Sequence, residues 1–235
     1  MDKYKVLAFD IDDTLIDDTK SRKVAFSNVS SYLHIPYTEE LGNTFITFDN
    51  RFWDEYQSGK ILVPEGTEDF ALYLRSLHFQ KFYESLSLDA NTAQFLNEIY
   101  TNHLGDSLEP IPEARETLEI LKDRYKIIFP TNGVKKLIQH KLDIVLASPF
   151  DYDIICAEVV GKNKPHPLFF QYVFQKCNCD KSEILLIGDS LTSDVLGGMK
   201  NGIDTCWFNP NHLPLREEYT PTMEIDHLLE LTRKL

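Results

Sequence analysis

Short apolar runs, each followed at once by polar residues, recur along the chain. The first run is Val6–Phe9, which is almost continuous and leads directly into acidic residues. Such runs are typical of strands that are buried on both faces of a parallel sheet. The same format predicts strands at 126–129, 184–187 and 205–208, and a further strand is predicted at 153–157.

Helical periodicity lies between these runs. Apolar residues spaced three and four apart predict helices over 113–124, 134–146, 168–177 and 192–201. Strands that alternate with helices indicate an α/β fold with a Rossmann-like parallel sheet. Ligands of such sheets bind at the carboxyl ends of the strands, which is where the polar clusters of this chain fall.

The segment from 17 to 108 follows a different pattern, with few convincing strands. We predict a helical cap domain over 17–108, inserted after the first strand, and a core domain made of 1–16 and 109–235. Pro110-Ile111-Pro112 is the expected return point to the core, because proline cannot continue a helix. The helices predicted for the cap are 22–33, 39–59, 67–77 and 92–103.

The composition limits the classes of partner that the protein is expected to bind. The 235 residues include 24 Lys plus Arg against 37 Asp plus Glu, and a net charge of −13 disfavours a nucleic-acid polymer as partner. The 4 cysteines form no CxxC pair, so we interpret them as reduced thiols. No segment resembles a signal peptide or a membrane span. We therefore expect a cytoplasmic monomer or weak dimer with no membrane partner.

Candidate chemistry begins with two carboxylates, Asp10 and Asp12, just beyond the first strand. The pair would repel unless a proton or a cation relieved the repulsion, and a divalent metal with oxygen ligands, best Mg²⁺, is the economical explanation. Taken alone, the same residues also fit an ordinary strand end and turn.

Three further clusters follow later strands. Thr131-Asn132-Gly133 offers a hydroxyl and backbone N–H groups to an anion, although the same triplet also makes an ordinary turn and helix cap. Lys164 can neutralise a carboxylate or a phosphoryl group, or it is a solvated loop charge. Asp189 is placed to complete metal coordination, while Asp194 is either a ligand or a first-turn acid that favours the helix dipole.

Together these clusters carry a resemblance to a known family. The order DxDxT, Thr-Asn-Gly, Lys-Pro and Gly-Asp-x₄-Asp resembles the four motifs of the haloacid dehalogenase (HAD) superfamily, from Val6 to about Asn209. The inserted segment is similar to the C1-type cap of that family. The resemblance implies that Asp10 is a nucleophile that forms an aspartyl-phosphate. It also implies that Asp12 protonates the leaving oxygen and then activates water.

The resemblance implies roles for the remaining motif residues as well. Thr131 and the Asn132 backbone would hold the phosphoryl group, and Lys164 would offset charge between that group and the nucleophile. The sequence departs from the family at Pro130, which lacks an N–H group, so we expect the strand end to shift slightly. The implied magnesium ligands are Asp10, Asp12 through its carbonyl oxygen, Asp189 and Asp194, the last directly or through water.

The substrate is predicted from two segments, 50–60 and 204–210, which resemble the YjjG-like pyrimidine 5′-nucleotidases. Trp53 and Tyr56, three apart on a predicted helix, either present an aromatic face to a nucleobase or pack the cap against itself. We therefore predict a phosphoric monoester hydrolase of the 5′-nucleotidase type that acts on a small phosphorylated metabolite. The alternatives are a sugar-phosphate phosphatase or phosphomutase, or, less favoured, a pyrophosphatase or phosphonate hydrolase. A catalytically silent binding protein of the same fold is the alternative from another class.

Overall fold

The computed structural model describes residues 3–67, 70–87, 93–133 and 135–235. The chain divides into two compact units, one made of Met1–Asp18 with Leu108–Leu235 and the other of Thr19–Ser107. The strands belong to the first unit and are β1 Val6–Phe9, β2 Lys126–Thr131, β3 Tyr152–Cys156, β4 Ile184–Gly188, β5 Asp204–Phe208 and β6 Met223–Ile225.

All the strands are parallel, in the order β3-β2-β1-β4-β5-β6, so the sheet is the predicted Rossmann-like one. The five predicted strands are confirmed, whereas β6 was not predicted, because three residues are too few to show a pattern. β2 continues through Pro130 to Thr131 and does not end at the proline. Its pairing with β1 ends at Ile128, so Pro130 lies beyond the last residue that β1 pairs.

The helices have the following bounds in chain order: α1 Asp18–Tyr32, α2 Glu39–Gln57, α3 Phe70–Ser85, α4 Ala93–His103, α5 Ala114–Leu121, α6 Lys135–Val145, α7 Ala157–Val160, α8 Pro167–Cys177, α9 Gly197–Asn201 and α10 Leu231–Lys234. Val134, Thr92, Glu68 and Asp69, which fall in predicted helices, lie outside the described residues.

Several predicted helices differ from the structure at their ends; the helix predicted over 22–33 begins at Asp18, and the one predicted over 67–77 continues to Ser85. The helix predicted from residue 113 begins one residue later, because Glu113 has a φ of 68° and is not helical. The helix predicted over 192–201 is α9 preceded by a wider turn of the π type, Leu191–Leu196. Such wide turns are frequent at functional sites.

Side chains of β1 alternate between two apolar clusters, one on each face of the sheet. Leu7 and Phe9 lie in the cluster that α5 and α6 cover, and Val6 and Ala8 lie in the cluster that α8 covers. Burying a side chain such as Phe9 contributes roughly 1.5–3 kcal/mol. A central strand with both faces buried is a rigid support for the loop that follows it.

The second unit is helical and consists of α2, α3, α4 and the part of α1 after Asp18. Its core is rich in aromatic residues, with Phe26 stacked on Phe45 at a centroid distance of 4.1 Å. No strand is present among the described residues of this unit. No helix of the described part of the chain is long and apolar enough to span a membrane.

Candidate active site

The site residues of the first unit follow three neighbouring strands. β1 lies between β2 and β4, and all three run in the same direction. Asp10 follows β1, Thr131 ends β2, and Asp189 follows β4. The topology therefore brings residues that are far apart in the sequence to one edge of the sheet.

Three carboxylates lie together at this edge. Asp10, Asp189 and Asp194 each offer an oxygen, and these oxygens all lie within 4.8 Å of one another. The Lys164 ammonium group lies among them and donates to Oδ1 of Asp10 at 2.6 Å and to Oδ1 of Asp194 at 2.7 Å. Only 1% of Lys164 is exposed, so this cation depends on the carboxylates to offset its loss of hydration.

Burial and the close charges shift the pKa values of Asp10, Asp189 and Lys164. Burial raises the pKa of Asp10 to about 8, with Lys164 opposing the shift and Asp194 adding to it. Burial, together with the neighbouring carboxylates, raises the pKa of Asp189 well above its ordinary value. Burial alone would lower the pKa of Lys164, but Asp10 and Asp194 raise it above its usual range. The cluster therefore contains more carboxyl groups than one lysine can offset as carboxylates, so protons or a cation must stabilise the others.

The donor set fits Mg²⁺, since carboxylate oxygens are the hard ligands that this ion prefers and three carboxyl groups lie close together here. Asp194 has both oxygens already engaged, Oδ1 by Lys164 and Oδ2 by the backbone N–H of Ser190 at 3.2 Å. The space around Asp194 requires Gly188, because a Cβ at that position would overlap the Asp194 carboxylate. Asp10 and Asp189 are therefore the carboxylates with most freedom to bind a cation.

Asn132 fixes the backbone of Lys164 through its side-chain amide. Asn132 Oδ1 accepts from the Lys164 N–H at 2.8 Å, and Nδ2 donates to the Lys164 carbonyl at 3.0 Å. Sequence reasoning expected only a backbone role for Asn132 and missed this pair. α8 begins at Pro167, one residue before the predicted start, with His166 accepting from Leu168 N–H at 3.2 Å. The backbone of Lys164 is therefore fixed by the Asn132 amide and by the start of α8 that follows it.

Two threonines accept hydrogen bonds from the backbone of the loops that follow the strands. Thr131 is 1% exposed, and its Oγ1 accepts from Gly133 N–H at 2.9 Å. Thr14 Oγ1 accepts from Asp189 N–H at 3.0 Å and so ties the loop after β1 to the loop after β4. Thr14 is the threonine of the DxDxT motif, to which sequence reasoning gave no role of its own.

The Asp12 carboxylate, which is not one of the three clustered carboxylates, pairs with a second lysine. Lys141 of α6 donates to Asp12 Oδ1 at 2.5 Å and to Asp18 Oδ1 at 2.7 Å. Burial raises the pKa of Asp12, and Lys141 opposes that shift. Sequence reasoning missed Lys141, although its spacing from Ile138 and Val145 places it on the buried face of α6.

Trp53 and Tyr56 of α2 belong to the second unit. The Trp53 indole N–H donates to Asp49 Oδ1 at 2.8 Å, and the Trp53 ring meets those of Phe52 and Tyr56 edge-on. Asp49 is buried and also pairs with Arg22 at 2.6 Å. These contacts pack the two aromatic residues within their own unit, and a role in substrate binding stays a prediction.

The chain is similar to several known proteins. A family model described as haloacid dehalogenase-like hydrolase matches residues 4–202. The chain is 30% identical to Pyrimidine 5′-nucleotidase YjjG of Escherichia coli (strain K12), over 99% of this chain and 98% of the relative. It is 30% identical to Glyceraldehyde 3-phosphate phosphatase of Pyrococcus abyssi, over 87% of this chain and 81% of the relative.

The HAD-hydrolase YfnB of Bacillus subtilis (strain 168) is similar in both sequence and structure. It is 32% identical over 98% of this chain and 95% of its own. Its crystal structure, solved with bound magnesium, superposes with a TM-score of 0.85 over 100% of this chain and 99% of that one.

Proposed function

The chain belongs to the haloacid dehalogenase-like hydrolase family, and we propose that it is a Mg²⁺-dependent phosphomonoesterase that hydrolyses nucleoside 5′-monophosphates, preferring pyrimidines. One observation carries the proposal, namely the buried Lys164 ammonium group between the carboxylates of Asp10 and Asp194, with Asp189 close by. A carboxylate can attack a phosphoryl group only where other charges offset the repulsion between the two anions.

Asp10 is the nucleophile of the proposed reaction, and attack of its carboxylate on phosphorus gives an aspartyl-phosphate. Lys164 donates to Asp10 Oδ1 at 2.6 Å, so it orients that carboxylate and stabilises charge that develops beside it. The Thr131 hydroxyl and the N–H groups of the turn after β2 bind the phosphoryl oxygens. Asp194 holds Lys164 from its other side.

Asp12 transfers the proton in both halves of the proposed reaction, first to the leaving oxygen and then from the attacking water. Mg²⁺, held by Asp10, Asp189 and the Asp12 carbonyl oxygen, with Asp194 acting through water, would offset the charge of the phosphoryl group. An acid at Asp12 favours ester hydrolysis, because the departing alkoxide needs a proton.

The nucleotide preference is supported by the similarity to Pyrimidine 5′-nucleotidase YjjG over nearly the whole chain. A sugar-phosphate phosphatase is the second candidate, because Glyceraldehyde 3-phosphate phosphatase is equally similar over a smaller share of the chain. Both candidates use the same core residues, so the substrate alone distinguishes them. Trp53 and Tyr56 are the residues that we propose for contact with the base.

Phosphate release from a panel of nucleoside monophosphates, sugar phosphates and pyrophosphate tests the proposal, with Mg²⁺ or with a chelator. We expect Mg²⁺-dependent release that is fastest from pyrimidine monophosphates. Release from sugar phosphates alone would refute the nucleotidase assignment but leave the phosphatase mechanism in place. Asp10→Asn, checked for folding by circular dichroism, should lose the activity. Retained activity would refute the assignment of Asp10 as the nucleophile. A wild-type protein that releases no phosphate at all would favour the alternative of a catalytically silent binding protein.

A further inference from the structure

A buried lysine outside the family motifs contacts the proposed proton-transfer group. Lys141 is 4% exposed, and its ammonium group bridges Asp12 at 2.5 Å and Asp18 at 2.7 Å. Both carboxylates and the lysine lie in the first unit. Lys136, on the same helix, is exposed and so has the usual setting of a helical lysine.

The two oxygens of Asp12 have different neighbours. Oδ1 is held by Lys141, whereas Oδ2 lies beside Gly133, where an added Cβ would stand 2.8 Å from that oxygen and 3.0 Å from Thr131 Oγ1. Oδ2 therefore faces the turn that we propose binds the phosphoryl group. With Oδ1 occupied, Oδ2 is the oxygen that remains available for proton transfer.

Stability alone does not account for this pair. A buried ion pair often contributes less to stability than apolar side chains of similar volume, because two charges must lose their hydration. The neighbours of Lys141 on the helix, Ile138 and Leu142, are both apolar and buried, so an apolar residue would suit the position. A lysine at that position is explained by what it does to Asp12.

We propose that Lys141 is a positioning residue, which holds Oδ1 of Asp12 so that Oδ2 faces the leaving oxygen of the substrate. Asp18 fixes the lysine from its other side. The inference rests on the proposed phosphatase function and adds to it a residue that acts only through Asp12. Its effect therefore depends on how much the leaving group needs a proton.

The test compares two leaving groups in Lys141→Met, which removes the charge and keeps the length of the side chain. A nucleoside 5′-monophosphate expels an alkoxide and needs the proton, whereas p-nitrophenyl phosphate expels a stable phenolate and does not. The ratio kcat/KM reports the steps up to the aspartyl-phosphate for both substrates. Lys136→Met is the matched control, and urea unfolding of each variant verifies the fold.

We expect Lys141→Met to lower kcat/KM for the nucleotide about 100-fold, the low end of the range for general acid–base catalysis, and that for p-nitrophenyl phosphate only a few-fold. The loss should fall on kcat and leave KM unchanged, because Lys141 does not contact the substrate. Lys141→Arg should restore part of the selective loss. In an Asp12→Asn background, Lys141→Met should have little further effect, since the two residues act as a unit.

Equal losses with the two substrates would overturn the inference, because they would show that Lys141 acts on the phosphoryl group or on the fold. No loss with either substrate would overturn it as well. Both results leave the proposed function in place, since the wild type would still release phosphate. A wild-type protein inactive on both substrates would overturn the proposed function and, with it, the role of Lys141.

Discussion

Replacing Lys164 with methionine removes the cation that separates Asp10 and Asp194. The side chain keeps its length, so the change removes mainly charge and two hydrogen bonds. Breaking a buried ion pair by deleting one partner typically costs 3–5 kcal/mol of unfolding free energy. We expect a cost of about that size for metal-free Lys164→Met at pH 8.

The cost should shrink as the pH falls. Without the lysine, the folded state relieves repulsion between the carboxylates by binding protons, and each additional proton changes the unfolding free energy by about 1.4 kcal/mol per pH unit. The folded state then binds more protons than the unfolded one above pH 4 or so, so stability falls as the pH rises. If the folded variant keeps one more proton than the unfolded variant from pH 5 to pH 8, its free energy of unfolding is about 4 kcal/mol higher at pH 5 than at pH 8. The cost of Lys164→Met at pH 5 is then about 1 kcal/mol or less.

Urea unfolding with a chelator present measures this cost. The chain has 2 tryptophans, and in a Trp53→Phe background the buried Trp207 alone reports the unfolding of the first unit. With a slope of about 2–3 kcal/mol per M urea, the midpoint at pH 8 should fall by about 1–2.5 M. Lys162→Met, two residues away and exposed, is the matched control and should change the midpoint little. An equal loss at both pH values, or one as small as in the control, would refute this account of the cluster.

Three further predictions concern other parts of the site. Gly188→Ala should cost about 1–3 kcal/mol in stability and lower kcat, because the new methyl group displaces the Asp194 carboxylate; wild-type stability and activity would contradict this. Mg²⁺ should raise the Tm more at pH 8 than at pH 5.5, because burial raises the pKa of Asp10 to about 8 and protons compete with the cation at lower pH; equal shifts would contradict this. Trp53→Phe and Tyr56→Phe should raise KM for a pyrimidine monophosphate and leave KM for p-nitrophenyl phosphate unchanged, whereas equal changes would favour a packing role alone.

The sequence contains enough information to predict most of the sheet, and the reason is physical. Strands buried on both faces, such as Val6–Phe9, are continuous apolar runs, so each run is visible without knowledge of its partners. The strand β6 at Met223–Ile225 is short and lies at the edge of the sheet, where burial imposes less of a pattern. The domain boundaries predicted after residues 16 and 108 stay a prediction.

The candidate site shows the limit of such reasoning. Asp10, Lys164 and Asp189 could be predicted because each lies in a short motif that follows a strand. The spacing of Lys141 indicates a buried position, but its pairing with Asp12 could not be predicted, since the two are distant in the sequence and only the fold brings them together. The amide of Asn132 was missed for the same reason, because its contact with the backbone of Lys164 depends on where two loops meet.

The position of β1 in the sheet also bears on how the protein acquires its fold. Val6 pairs with Lys126 on one side and with Ile184 on the other, so both partners are synthesised long after it. During translation the apolar side chains of β1 stay without their partners in the sheet until the segments that cover them have left the ribosome. Contacts this distant in sequence slow folding. The helices of Thr19–Ser107 make local contacts and can form earlier, so we expect chaperone dependence to concentrate on the sheet.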